Sequence, residues 1–465
     1  MTLNPLQKPL MAAALALLSA CATRAPDAVP GQRHSTQALL AYQPADFHWQ
    51  ATQAEVEQAQ RTRDLRLLHE RLALPPGHAA QAALPDILSA VLLYNTDIDA
   101  ARGPTLAALP GLTAQTGEAQ RSVLSGVYAF YAAEAAPLLW PLLPQLHTPR
   151  EFAIAAYTLL KPLTAEVRPA AAVQIQTLMQ AQFPTWQNEP RLRALGRVLQ
   201  DSPGSTSPPL AELLAAPLRP GFPVVFSLQR PGREVLGLAI LRGSDGRFVR
   251  TPDGHLFQVP QLARALAHLP GTITLGDTPQ GIFAVRGAST ASNPTIGPTP
   301  FLETKLPIEA SVAEFFQVDG SDLDWSEGLY AGLLPPSWRH WEPIKEAWLA
   351  GRAGRDEILM HGSVVNPAYY RNAPYYPATP TAGCLTSPEQ WDPTTGRLRA
   401  SGQLQLAQAF ASAFAQGPGA NGDPMVKGYL VMVELPGNAA RRFIPVSEAE
   451  VREVVDEAER RLGGR

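Results

Sequence analysis

Hydrophobic periodicity changes character once along this chain, across Asp201-Ser202-Pro203-Gly204-Ser205-Thr206-Ser207-Pro208-Pro209. Before that segment, apolar residues recur at three- and four-residue spacing, the period of one helix face. After it they come in short β-branched runs separated by Gly and Pro, the pattern of strands and turns. A chain that switches period in this way is neither one uniform bundle nor one uniform sandwich, and its 465 residues exceed what one core ordinarily serves. The expected fold class is multidomain α + β: an α-helical domain over 46–200, a linker over 201–221, a mainly β domain with helical insertions over 222–440, and a C-terminal helix over 441–465.

Within the first half, Thr52 to Leu74 is rich in good helix formers, and Gly117 to Leu146 and Arg150 to Gln182 continue the helical spacing. In the second half, Val224–Leu228, Val235–Leu241, Thr272–Leu275, Ile282–Val285 and Tyr429–Leu435 read as strands, with a hairpin around Pro252-Asp253-Gly254. Helices are expected near Ala313–Phe316, Pro343–Ala350 and Gln403–Phe414. A last helix over Glu448–Leu462 opens on Ser447 with Glu450 placed for a capping box.

The first twenty-one residues read as a processing segment: Lys8, then the short apolar run Leu10–Leu18, then Leu18-Ser19-Ala20-Cys21. That ending resembles the bacterial lipobox, which implies cleavage before Cys21, lipidation of Cys21 and a membrane anchor. Ala22 in place of Asp points to the outer membrane, hence a periplasmic protein tethered through residues 22–45. A formal net charge of −3 gives no electrostatic case for a nucleic-acid partner. The acidic residues Asp319, Asp322, Asp324 and Glu327 do not fit a calcium-loop spacing and read as a solvated loop.

Cys21 and Cys384 are the only cysteines. With Cys21 lipidated, Cys384 has no partner in its own chain, so it is either an inert buried thiol or a reactive one. It lies in Pro380-Thr381-Ala382-Gly383-Cys384, where small residues allow close backbone approach and consecutive N–H groups can meet an oxyanion. A thiol nucleophile needs a base. His361, in Ile358-Leu359-Met360-His361-Gly362-Ser363, sits at the end of a strand-like run and is the best candidate.

Three motifs in order resemble those of L,D-transpeptidase catalytic domains, the YkuD-like family: Thr278-Pro279-Gln280-Gly281-Ile282-Phe283, then His361-Gly362-Ser363, then Thr381-Ala382-Gly383-Cys384. The resemblance covers about 222–436. It implies that His361 deprotonates Cys384 and that the thiolate forms a thioester with a peptidoglycan stem peptide. An amine acceptor then gives a cross-link. On the same resemblance Gly383 and Cys384, with Ala382, supply oxyanion N–H groups, and a carbonyl or side chain at Gly362 or Ser363 orients the imidazole. Thr381, Ala382, Tyr375, Tyr376 and Arg371 are the expected substrate contacts. Two positions depart from the family: Ala382 stands where it has His, and Thr386 where it often has Arg, a role Arg371 or Arg397 can take. An L,D-carboxypeptidase or amide hydrolase using the same thiol, and a non-catalytic envelope-binding lipoprotein, are the alternatives. The helical half is a possible docking site for a protein partner.

Overall fold

The computed structural model describes residues 31–463 apart from 201–206, 319, 321, 322, 421 and 438. The processing segment, Cys21, the first part of the expected tether (22–30), the start of the linker, Asp319 and Asp322 lie outside the described residues. The fold is α + β. Helices fill the first half, among them Ala54–Leu72, His78–Tyr94, Gly117–Phe130, Pro149–Leu160, Arg168–Gln182 and Pro190–Gln200. Their shared core holds Leu84 and Leu88, Val123 and Val127, Phe152 and Leu159, Ile175 and Met179, Leu192 and Leu195. These pairs are three, four or seven residues apart, the spacing of one helix face, and the Pro149–Leu160 helix at the centre is buried all round from Glu151 to Leu160.

The second half is built on a mixed eight-stranded sheet in the order β3-β2-β1-β10-β4-β5-β6-β7. The strands are β1 (Val224–Gln229), β2 (Gly237–Arg242), β3 (Gln258–Gln261), β4 (Gly281–Ser289), β5 (Phe301–Lys305), β6 (Leu359–His361), β7 (Leu385–Thr386) and β10 (Gly428–Glu434), with β8 (Glu389–Trp391) and β9 (Leu398–Ser401) forming a separate pair. β1 with β10 and β6 with β7 are parallel; the other neighbours are antiparallel. The central pair is buried on both faces, which explains why β1 and β10 read as near-continuous apolar runs. Leu262, just past β3, exchanges both backbone hydrogen bonds with Thr386 of β7, at 2.8 and 2.9 Å. The two edges of the sheet are thereby joined, which removes the open-edge liability and curls the sheet around its core.

Four expectations are corrected. Residues 31–45 are not a free tether. Arg33 bridges Ser289 at the end of β4, and the short helix Thr36–Ala41, capped by Ser35, buries Leu39 in the sheet core. Thr272–Leu275 forms turns instead of a strand; Ile273 plugs the helical core and Leu275 is exposed. The segment 207–221, expected as linker, contains the helix Leu210–Leu214, whose Leu213 and Leu214 are buried. Glu450 does not serve a capping box, because its carboxylate is taken by Arg230 in a bidentate pair and by Arg441.

The two halves are cross-linked by charge. Arg193, on the Pro190–Gln200 helix, makes two bonds to Glu327 and one to Glu342 at 2.5–2.9 Å, and Lys345 pairs with the same two carboxylates. Shared networks of this kind hold geometry better than isolated surface pairs.

Candidate active site

The nucleophile loop is built so that the residue before the thiol has to be glycine. Gly383 has φ +129°, and a Cβ there would overlap the Arg355 guanidinium and the Gly276 carbonyl. Three bonds fasten the loop around it. The Thr278 hydroxyl donates to the Gly383 carbonyl at 2.9 Å, and the Gly383 N–H donates to the Thr381 hydroxyl at 3.0 Å. The Thr381 hydroxyl donates in turn to the Cys384 carbonyl at 2.9 Å. The Ser363 hydroxyl accepts from Thr379 at 2.8 Å at the start of the same loop. Thus Thr278, Ser363 and Thr381, one from each sequence motif, meet in space on one loop.

Strand alternation puts His361 and Cys384 on one face of the sheet. Met360 of β6 is in register with Leu385 of β7, and both side chains are fully buried in the apolar core. Their neighbours His361 and Cys384 therefore project from the opposite face. Nδ1 of His361 is hydrogen-bonded to the carbonyl of Gly362. A carbonyl oxygen only accepts, so Nδ1 carries the proton of the neutral ring and Nε2 holds the free lone pair. No hydrogen bond links the sulfur to the ring. The Cys384 sulfur instead accepts from the Leu359 N–H at 3.3 Å and donates to the Glu357 carbonyl at 3.5 Å.

Burial sets the resting charges. It pushes the His361 imidazole down to about 4 and the Cys384 thiol up to about 11, the latter against the opposing pull of the Leu359 N–H and the Arg355 guanidinium. Near neutral pH the site therefore holds a neutral thiol and a neutral imidazole. The resting thiolate–imidazolium pair that the resemblance implies is not the state these surroundings favour.

Arg355 is buried and donates to three carbonyls, those of Gly271, Gly276 at 3.0 Å and Asp277 at 2.7 Å. It is the cation beside Cys384, whereas Arg371 and Arg397 were expected only in place of the family's carboxylate-binding arginine. Arg371 is exposed at the end of the Pro367–Tyr370 turn, and Arg397 is exposed and bonded to the Ala45 carbonyl. Thr386 is buried and donates to the Thr379 carbonyl at 2.8 Å, so its side chain braces the loop instead of facing a ligand. The neighbouring 262–268 segment is pinned by Asp277, which accepts from the Ala265 N–H and pairs with His268, each at 2.7 Å.

Several expected roles change with these contacts. The Gly383 N–H is already engaged by Thr381, so the oxyanion donors left are the N–H groups of Cys384 and Ala382, which have no acceptor among the described residues. Thr381 ties the loop to itself, while Ala382 is exposed at its tip. The aromatic loop divides in two. Tyr370 is buried and donates to the Leu93 carbonyl at 2.6 Å, and Tyr369 bonds Glu57 and meets the Tyr94 ring edge-on, so this pair anchors the loop to the helices. Tyr375 lies under the Arg264 guanidinium, 5.5 Å from ring centre to carbon, and Tyr376 is exposed.

Behind His361 stands a group the sequence reading passed over. Gly362 is bare because a Cβ there would overlap the carboxyl of Glu389. Burial pushes that carboxyl up to about 7, against stabilising contacts from Ser401, Thr299, Trp391 and the Ser363 amide. Among the described residues no cluster of three or more His, Cys, Asp or Glu side chains gathers as a metal site, and no helix is long and apolar enough to cross a membrane. No family model, curated protein or solved structure matches the chain.

Proposed function

We propose that the second half is a separate catalytic domain, a cysteine-dependent acyltransferase of the L,D-transpeptidase type acting on peptidoglycan stem peptides, with the helical half as a second domain that braces it. The observation that carries this reading is the fixed tautomer of His361, whose free Nε2 stands on the strand beside the one that Cys384 enters. In the proposed cycle the thiol turns from the Glu357 carbonyl toward Nε2, gives up its proton there and attacks the substrate carbonyl. The N–H groups of Cys384 and Ala382 meet the oxyanion, and Arg355 stabilises negative charge on sulfur from below the loop. The imidazolium then protonates the departing amine, leaving a thioester that an acceptor amine resolves to a cross-link. Arg264, over Tyr375 at the side of the loop, is the cation positioned for a substrate carboxylate, and Tyr376 lines the approach. No cofactor enters the cycle.

Export and lipid anchoring through Cys21, with placement at the outer membrane facing the periplasm, belong to the same proposal and rest on the lipobox-like sequence. Purified protein lacking the processing segment, incubated with disaccharide tetrapeptides, tests the activity. Cross-linked dimers seen by mass spectrometry support transfer, and shortened stems without dimers identify a hydrolase. Unchanged stems, with or without binding, exclude both.

A further inference from the structure

The Gly362–Ser363 peptide unit stands between two side chains. Its carbonyl accepts from His361 Nδ1, and its N–H faces the Glu389 carboxyl and favours the ionised form of that carboxyl. The carboxyl lies so close to Gly362 that no other residue fits there without displacing it. Its Oε1 accepts from the Ser401 hydroxyl at 2.6 Å, while Oε2 is buried with no hydrogen-bond partner of good geometry. Thr299 Oγ1 and Trp391 Nε1, both also buried without a well-formed bond, face the same carboxyl. An apolar side chain would fill this space without leaving polar atoms short of partners, so a carboxyl here needs a reason beyond packing.

We infer that Glu389 is a positioning residue for the base: its carboxylate acts through the Gly362–Ser363 peptide to strengthen the carbonyl that holds His361. Negative charge beside the N–H end of a peptide unit polarises that unit and makes its carbonyl a better acceptor. A better acceptor at Nδ1 stabilises the imidazolium that forms when Nε2 takes the thiol proton. The groups facing the carboxyl are Ser401 on β9, Thr299 from the loop before β5, Trp391 on its own strand β8 and the Ser363 amide. All are neutral, and the one titratable group across the peptide is His361. Burial makes the carboxyl titrate at about 7, so the support is switched on as pH rises through neutrality.

The inference rests on His361 serving Cys384 but not on the identity of the substrate, and its test therefore uses the thiol alone. Iodoacetamide alkylation of Cys384, followed peptide by peptide by mass spectrometry from pH 5 to 9, reads the base-assisted reactivity of the sulfur. In the natural sequence a limb with a midpoint near pH 7 stands above the steady tenfold-per-unit rise of a thiol that ionises at about 11. E389Q removes that limb and lowers the rate at pH 8 by about 10- to 100-fold, the usual scale for groups that orient a histidine from behind, whereas E389D retains the limb. An unchanged limb in folded E389Q overturns the inference. If E389Q does not fold, as judged by circular dichroism, 15N-histidine NMR of the unaltered chain decides. The His361 Nδ1 resonance moves with a midpoint near pH 7 if the carboxyl acts through the peptide, and stays fixed between pH 6 and 8 if it does not. Alkylation unaffected by H361A would reject the base itself, while a normal profile without turnover of stem peptides would reject only the substrate.

Discussion

His361 ends one strand of the sheet and Cys384 leads into the next, yet the chain supports this proposed base and nucleophile in opposite ways. Behind His361 lies Glu389, a carboxyl that ionises at about 7, separated from the ring by a peptide unit; behind Cys384 lies a cation, Arg355, separated from the sulfur by the Gly383 backbone. Both reacting groups are held neutral by burial. Proton transfer between them creates a positive ring in front of the carboxyl and a negative sulfur in front of the guanidinium. The two glycines are bare because each must let its counter-charge approach. The lesson is that a site can keep its groups uncharged at rest and still favour the charged pair once it forms.

The comparison is broken first at the reacting atoms. Cys384→Ala is expected to abolish product formation, and His361→Ala to lower kcat by about 10²- to 10⁴-fold, the range for a general base, both read by product analysis with stem peptides. It is sharpened next on the cation side. Arg355→Met removes the counter-charge, so Cys384 titrates still higher than about 11 and alkylates several-fold more slowly at pH 8. The same change leaves three carbonyls without donors and lowers stability by several kcal/mol in urea unfolding, at about 1–3 kcal/mol for each.

Opposite slopes in stability against pH come next. The unfolded chain protonates His361 below its ordinary value of 6.5 and the folded chain only near 4, so this group makes stability fall as pH drops through that window. Glu389 does the reverse, because the folded chain keeps its proton from 4.5 up to about 7 while the unfolded chain releases it. Each effect reaches about 3 kcal/mol at full extent, from about 1.4 kcal/mol per pKa unit. These two contributions offset each other in the natural sequence. E389Q is expected to expose a loss of stability on acidification from pH 6.5 to 4, and His361→Gln a loss on raising pH from 4.5 to 7, each followed by Tm. The smallest effect touches neither side of the site. Tyr370→Phe removes one buried bond to Leu93 and costs about 1 kcal/mol, whereas Tyr376→Phe leaves Tm unchanged.

How much of this was legible depended on whether a residue announced itself through its neighbours. The helical half was readable because pairs such as Val123 and Val127 repeat at the helical period. The thiol and the imidazole were readable because one ends a motif and the other opens one. Arg355, in Gly351-Arg352-Ala353-Gly354-Arg355, looks like any solvated cation, since its three acceptors come from a turn about eighty residues earlier. Glu389 is equally silent, for its partners Ser363, Thr299 and Ser401 are brought to it only by the fold. Thr272–Leu275 has strand-like side chains, yet Gly271 and Gly276 let the chain turn on both sides of Ile273. The Thr36–Ala41 helix did carry a signal, the N-cap Ser35, inside a stretch whose Pro and Ala content suggested a tether. Tyr369 and Tyr370 differ from Tyr375 and Tyr376 only by which surface lies opposite them, and composition holds no trace of that.

Intact-protein mass spectrometry after rapid mixing with a stem tetrapeptide tests whether Cys384 carries the acyl group. The expected result is an adduct equal to the peptide minus its terminal residue, mapped to Cys384 by proteolysis, released by hydroxylamine and absent from Cys384→Ala. Product formed at the natural rate by Cys384→Ala, or turnover with the adduct on any other residue, would contradict a thiol nucleophile at this position.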